Sequence, residues 1–387
     1  MKKYAYVGCL GFLAVITTEF GIIGILPQVA EHYHISIDKA GYLLGAFALV
    51  IALTGPFMTL LTSGFDRKKV MLTAISIFLI TGIVSFFSPP FWLLILVRIL
   101  PAFLQPVYIA TALAVAVSQA DKKRENELMG IVFSGVAIAM VTTVPFATWL
   151  ASLWSWEYSF AVQAIVSVVA LAGIYFVLPA MPVKEKKSYR SQLKILTKPT
   201  FIISTAMNFF MITAWFSTYS YFAEYLGKVK NMDNTMISYM LFVFGAVGVF
   251  SNWLAGKMLN KNITKTTASF LSGTILIPVL LHFSGGNTVA TVVVIAIWGF
   301  LYSPSFLNAS TYMISSVPES LEFANSLATS FGNLGVTLGT TLGGWIIISK
   351  GVGYNPWVGF AFGILAFLMI GLRSFLERKH VELPILR

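Results

Sequence analysis

Twelve apolar stretches, each long enough to cross a bilayer, run through the chain with only short polar breaks between them. A hydrocarbon core of about 30 Å takes roughly 20 helical residues, and only helices or closed barrels satisfy the backbone inside it. The stretches fall at 5–29, 40–63, 70–88, 91–117, 128–150 and 157–180, then at 201–226, 236–258, 265–283, 288–314, 323–349 and 355–377. Charged residues are 11% of the chain and the apolar set is 57%, against roughly 25% charged in soluble domains. So few charges cannot cover a soluble globule with this much apolar surface. A disordered chain, a coiled coil and a peripheral protein with one anchor are excluded by the same pattern. The chain reads as an all-α membrane protein with twelve transmembrane helices. Lys2 and Lys3 open the first run, but Ala5–Val29 is too long for a signal-peptide core and no small-residue cleavage site follows. It reads as an uncleaved first span.

The loops then fix an expected orientation. With the N-terminus inside, the cytoplasmic segments hold 21 of the 26 Lys and Arg residues and the outer loops hold Lys39, Lys228, Lys230 and Lys350. Arg98 is the remaining one, within a span. This is the positive-inside pattern, and it places both termini in the cytoplasm. It also accounts for the net charge of +11 without a nucleic-acid partner. The longest polar segment, 181–200, divides the chain into an N-terminal six-helix half (1–180) and a C-terminal one (201–387). Its basic residues suit a cytoplasmic linker resting near anionic headgroups. The single cysteine, Cys9, rules out an internal disulfide. His32, His34, His282 and His380 are scattered, so neither a metal nor a cofactor is expected.

The halves resemble each other. Similar strings begin at Asn126 for the fifth span and at Asn325 for the eleventh, each continuing in small residues and Gly, and each followed by a short loop with an aromatic at the start of the next span. Duplicated six-span units with a shared site near the midplane are a transporter architecture.

At the level of motifs the chain resembles the major facilitator superfamily, and within it the twelve-span drug:proton antiporters of the sugar-efflux and arabinose-efflux branch. The string Thr17-Thr-Glu-Phe-Gly-Ile-Ile-Gly-Ile-Leu-Pro-Gln-Val-Ala30 carries the resemblance, with Ala40-Gly-Tyr-Leu43 and Gly55-Pro56 in the second span. The turn Phe65-Asp-Arg-Lys-Lys69 corresponds to the family's loop signature, Arg98 to its arginine in the fourth span and Pro145 to the proline of its antiporter motif. The resemblance implies two pseudo-symmetric halves rocking about a central site, and a gating loop at Asp66, Arg67, Lys68 and Lys69. It also implies a bacterial inner or plasma membrane location.

Few ionisable residues fall inside spans. Glu19 lies about 10 residues, or roughly 15 Å, from the outer end of the first span. A charge at that depth needs a cavity or a partner, and a carboxylate there is suited to load and release a proton. Glu19 is therefore the expected proton-coupling residue. Arg98, always charged, is its expected partner, binding it in one conformation and freeing it in another. Glu224, near the outer end of the seventh span, is a candidate second titrating site. The expected cavity lining, taken from the spans that flank the site in this fold, is Gln105, Tyr108, Asn208, Trp215, Tyr219, Tyr302, Asn308 and Asn333. Gly332, Gly335, Gly339, Gly343 and Gly344 give the eleventh span a smooth face for close packing. Pro27, Pro56, Pro101, Pro106, Pro145 and Pro304 are placed to kink spans.

No P-loop or hydrolase motif is present, and the spans lack the convergent His, Asp and Ser groups an enzyme needs. The expected function is a proton-coupled exporter of sugars, polar metabolites or amphipathic drugs, working as a monomer by alternating access. Its expected partners are the small-molecule substrate, protons and the lipid bilayer. The alternative is an importer or an uncoupled facilitator of the same fold.

Overall fold

The computed structural model describes residues 2–118, 125–182, 190–318 and 321–382. The basic cluster Lys122–Arg124, the middle of the expected linker (183–189) and the last five residues lie outside that set.

Among the described residues, twelve helical segments are long and apolar enough to cross a membrane. Spans one to six are Lys2–His32, Ile37–Thr62, Arg67–Phe86, Phe91–Val117, Leu128–Leu153 and Tyr158–Val177. Spans seven to twelve are Pro199–Tyr219, Asn234–Lys261, Ile263–Phe283, Thr288–Ile314, Phe323–Lys350 and Val352–Glu377. The count and order match the hydropathy reading. Alternation of the spans puts Lys2, Arg67, Lys265 and Arg373 on one side of the molecule, here termed the basic face.

Turn chemistry fits the short loops. Asp66, Asp233, Asn262 and Asn287 cap the first turns of spans three, eight, nine and ten, each side chain accepting the backbone N–H three residues on. These residue types satisfy helix N–H groups that have no partner within the helix.

Several spans are discontinuous. Span one leaves the α-helix after Phe20, passes through Gly21 and a short 3₁₀ turn at Ile23–Ile25, and resumes at Leu26 with Pro27 in its first turn. Span four breaks at Phe103–Leu104, between Pro101 and Pro106. Span five breaks at Thr142, ahead of Pro145, and span ten at Ser303–Pro304. Proline has no N–H to donate and crowds the preceding turn, so these breaks follow from the sequence. Pro56 behaves differently, sitting inside the unbroken helix Ile37–Thr62. On either side of it Thr54 and Thr59 donate their hydroxyls back to the carbonyls of Val50 and Gly55.

Span seven differs from its expected extent. Its helix ends at Tyr219, and a separate helix, Phe222–Lys230, carries Glu224. No proline causes this break. Instead the Ser220 hydroxyl lies 2.8 Å from that of Thr340, and the Tyr221 hydroxyl donates to the Thr340 carbonyl at 2.9 Å. Both bonds are to span eleven, so a tertiary contact ends a helix that local hydropathy would continue.

Span eleven is the unbroken counterpart of broken span five, a helix of 30 residues, Leu321–Lys350. Its glycine face lies against the backbone of span seven. A Cβ on Gly335, Gly339 or Gly343 would sit 2.7, 2.7 or 2.3 Å from the carbonyl oxygens of Phe209, Thr213 and Ser217. Small residues allow this approach, and van der Waals packing drives it where no hydrophobic force separates helix from lipid. On the basic face, Ile195 of the segment Arg190–Thr197 is buried in an apolar cluster with Phe201, Met313, Val317 and Phe323.

Candidate functional site

A cavity of about 630 Å³ opens between the two halves. Its inner end is formed by Ile51 and Gly55 of span two, Pro106 of span four and Ser330 of span eleven; its mouth, toward Ser63, Arg67, Ser118 and Asn325, is on the basic face. Apolar walls with a few hydroxyl and amide groups are the usual make-up of small-molecule sites.

The opposite side is closed. The Thr337 hydroxyl of span eleven donates to the Gly45 carbonyl of span two at 3.2 Å. Tyr221 fills a slot between two glycines: a Cβ on Gly41 or Gly344 would lie 2.2 or 2.4 Å from its hydroxyl oxygen. Phe20 of span one meets Phe216 of span seven at 5.7 Å between ring centroids.

Two of the span breaks bring together a buried charged cluster next to Pro106, behind the cavity wall rather than in it. Glu19 occupies the last turn of the first helical segment of span one, and Gln105 is the first residue after the break in span four. The Gln105 amide Nε2 donates to Glu19 Oε2 at 2.6 Å, and both side chains are buried, at 4% and 3% exposure. A helix that stops at Phe20 leaves its last carbonyls without intrahelical partners. Arg98 supplies a donor. Its Nη2 donates to the Thr18 carbonyl at 3.0 Å and its Nε to the Leu43 carbonyl of span two at 3.3 Å. Its guanidinium also faces the rings of Phe47 and Phe160, at 5.8 and 5.9 Å. A cation at a helix C-terminus is favourably placed. Among the described residues no ion pair within 4.0 Å joins Arg98 to Glu19; the arginine holds the backbone beside the carboxylate, and the amide holds the carboxylate itself.

Residues 8–322 match the family model described as the Major Facilitator Superfamily. The chain belongs to the major facilitator superfamily. Over 96% of its length, and 95% of the relative's, it is 27% identical to YdhP, an inner membrane transport protein of Escherichia coli O157:H7. A Pasteurella multocida protein named "Probable sugar efflux transporter" is 24% identical over 92% of this chain and 88% of its own. The crystal structure of a D-xylose–proton symporter superposes with a TM-score of 0.75 at 15% identity, covering 95% of this chain and 96% of the other. The fold of twelve spans in two pseudo-symmetric six-helix halves is thus the superfamily's, and the chain is a multi-pass membrane transporter.

In this major facilitator, the residues expected around the cavity divide into several groups. Gln105 faces Glu19. Tyr108 is locked between spans one and four, its hydroxyl donating to the Gly8 carbonyl at 3.2 Å and lying 1.8 Å from where a Cβ on Gly11 would be. Asn208 is buried and donates to the Ala328 carbonyl at 2.9 Å, a partner of the kind a buried amide requires. Trp215, Tyr219 and Tyr302 join one aromatic group with Phe306 and Phe244; Tyr219 stacks on Phe244 at 4.8 Å and Trp215 meets Phe306 at 5.3 Å. Among the described residues the Trp215 indole N–H, both amide atoms of Asn308 and Oδ1 of Asn333 have no hydrogen-bond partner. Asn333 donates only within its own helix, to the Thr329 carbonyl.

Glu224 pairs with Lys228 of its own helix at 2.7 Å and makes no hydrogen bond or ion pair with Glu19 among the described residues. In the loop between spans two and three, Asp66 accepts the Lys69 backbone N–H and, through its other oxygen, the Met181 N–H at 2.7 Å. Arg67 donates to the Ala114 carbonyl and Lys68 to the Tyr175 carbonyl. The loop therefore ties spans three, four and six together at the basic face.

Two polar anchors escaped sequence reasoning. Arg373 is buried at 7% exposure, its guanidinium donating to the Tyr312 carbonyl, to Ser204 and Ser315, and to Glu377. By sequence it reads as one of the cytoplasmic charges, although position 373 falls inside the apolar run 355–377, and that overlap is the available signal. Lys230 donates to the Leu281 and Gly285 carbonyls and to Ser284, closing the end of span nine. Burial holds its ammonium pKa below the ordinary value.

Replacing Arg98 by Ala leaves two buried carbonyls without their donor. At about 1–3 kcal/mol for each unsatisfied group, a stability loss of about 2–6 kcal/mol is expected. Arg98→Lys keeps the charge but not the fork geometry, so it should recover only part of that loss. Thermal unfolding of the purified protein in detergent checks both.

Proposed function

We propose that this transporter is a proton-coupled antiporter that exports sugars or related polar metabolites by alternating access. The observation that carries the reading is Glu19, a carboxylate buried within span one and bonded to the residue next to Pro106 of the cavity. A membrane-buried carboxylate is costly unless it serves a function or a partner. The reading takes the basic face as cytoplasmic, from the excess of Lys and Arg in its loops. The cavity then opens inward, ready to receive a substrate from the cytoplasm. Names of relatives support the substrate class: the Pasteurella protein is named for sugar efflux. The aromatic group around Trp215 and the unpartnered amide of Asn308 are buried outside the present cavity wall, and in this reading they supply ring faces and polar donors to a sugar in another stage of the cycle.

Purified protein in liposomes with a pH-sensitive dye tests this. Sugars, sugar alcohols and amphipathic drugs are added in turn under an imposed proton gradient. Antiport predicts proton flow opposite to the sugar. Flow in the same direction assigns a symporter, as in the xylose-transporting structural neighbour, and sugar flux without proton flux assigns a facilitator.

Alternating access also predicts a labelling pattern. Cys9 is buried, so an introduced cysteine reports with little background. Ser330→Cys is expected to react with an impermeant maleimide from the basic face, and Thr337→Cys to resist it from the other. Adding Gly41→Ala, which places a methyl against the Tyr221 hydroxyl, is expected to raise Thr337→Cys labelling severalfold.

A further inference from the structure

We propose that Gln105 is the amide half of an acid–amide pair that is complete only when Glu19 carries a proton. This rests on the reading above that Glu19 titrates, and it adds the residue that recognises the protonated form. Gln105 donates through Nε2 to Glu19 Oε2 at 2.6 Å. Its other amide atom, Oε1, is buried and has no donor among the described residues. The hydrogen bonds of the neighbouring donors run elsewhere: Arg98 to the carbonyls of Thr18 and Leu43, and the Tyr108 hydroxyl to the carbonyl of Gly8.

A carboxylate ion only accepts hydrogen bonds, whereas a carboxylic acid has one O–H to give and one carbonyl to receive with. A carboxamide has the complementary pair. Facing a carboxylate, Gln105 satisfies one of its two ends. Facing the acid, it satisfies both, N–H to the acid carbonyl and acid O–H to Oε1, in a closed ring of two hydrogen bonds. A buried carbonyl oxygen without a donor is unfavourable, so the vacant Oε1 marks a site built for the acid. In the step itself, with the side opposite the cavity open, a hydronium ion gives its proton to the free Glu19 oxygen and becomes water. The new O–H bond then points at Gln105 Oε1. Release is the reverse, to water in the cavity on the basic face. Arg98 is the charged group that bears on Glu19, and it stays bonded to backbone in this conformation.

The position of Gln105 gives the pair a mechanical consequence. It starts the segment Gln105–Val117, just past the break in span four, and its neighbour Pro106 lines the cavity. A swing of that segment separates the amide from Glu19 and removes the partner that favours the acid. The cavity conformation described here is then the proton-loaded one.

Infrared difference spectra of the protein in liposomes, recorded across the pH range of carboxylate titration, read this directly. A carboxylic acid carbonyl band that is present in the wild type and absent in Glu19→Gln belongs to Glu19. In Gln105→Met, and in the milder Gln105→Asn should the first variant fold poorly, that band is expected to move to higher wavenumber, because the acid loses its hydrogen-bonded partner. A packing role alone would leave the band where it was. An unmoved band in a folded variant overturns the pair while leaving Glu19 as the proton site. Absence of any band lost in Glu19→Gln overturns both.

Discussion

Glu19→Gln is expected to reduce substrate-triggered proton flux to the level of protein-free liposomes. Counterflow exchange of substrate, which needs no net proton movement, should survive. The variant should also fold. Gln has nearly the shape of Glu, can still bond to Gln105, and brings no charge into a buried site, so its thermal midpoint should stay within about 2 °C of the wild type, the range of a roughly 1 kcal/mol change or less. The pairing of lost flux with retained exchange is what separates a coupling residue from a structural one. Glu224→Gln is the companion measurement. Glu224 already has Lys228 at 2.7 Å and sits in the first turn of its helix, where a negative charge is favoured by the helix dipole. Proton flux is expected to persist in that variant. Full flux in Glu19→Gln, with flux lost in Glu224→Gln, would move the coupling site to the helix Phe222–Lys230.

A large loss of stability is expected at Gly339. A Cβ there would lie 2.7 Å from the Thr213 carbonyl and 2.8 Å from the Ser217 backbone nitrogen. Both are backbone atoms, which cannot turn aside as a flexible side chain can. Gly339→Val must therefore push spans seven and eleven apart along their length. Overpacking of a tight interior costs about 1–3 kcal/mol and sometimes more, and a contact with backbone belongs at the upper end. Size-exclusion profiles in mild detergent are expected to lose the folded peak for Gly339→Val. Gly256→Ala is the control, because nothing lies within 4 Å of the added atom and alanine favours the helix by about 1 kcal/mol. It should be neutral or slightly stabilising. Equal behaviour of the two variants would mean that the glycine face is not what holds these spans together.

The spans were legible because bilayer thickness sets one length for every one of them, and the chain repeats that length twelve times. Breaks at proline were legible too: Pro27, Pro101, Pro106, Pro145 and Pro304 all lie at or near one. The break at Ser220–Tyr221 was not, since it is made by bonds to Thr340 of span eleven, more than a hundred residues away. Glu19 stood out as a carboxylate deep in an apolar run. Its partner did not. Arg98 and Gln105 are seven residues apart in span four, two turns along one face of an ideal helix, so phase alone cannot choose between them. Charge suggested the arginine, but the break in span one exposes a carbonyl that the arginine takes instead. Arg373 was missed for a related reason: a positive charge at the end of an apolar run looks the same whether it faces water or a Tyr312 carbonyl.

Span eleven belongs to an unbroken helix of 30 residues, about 45 Å long at 1.5 Å per residue. The hydrocarbon layer is only about 30 Å thick. A straight rod of that length either tilts or stands clear of the lipid, and a thinner bilayer demands more of both. This rod is also the one that carries Asn325, Ser326, Thr329 and Ser330 into the cavity wall. Membrane thickness therefore acts on the width of the pathway. The same protein should run at different speeds in short-chain and long-chain lipids, with no change in its own sequence.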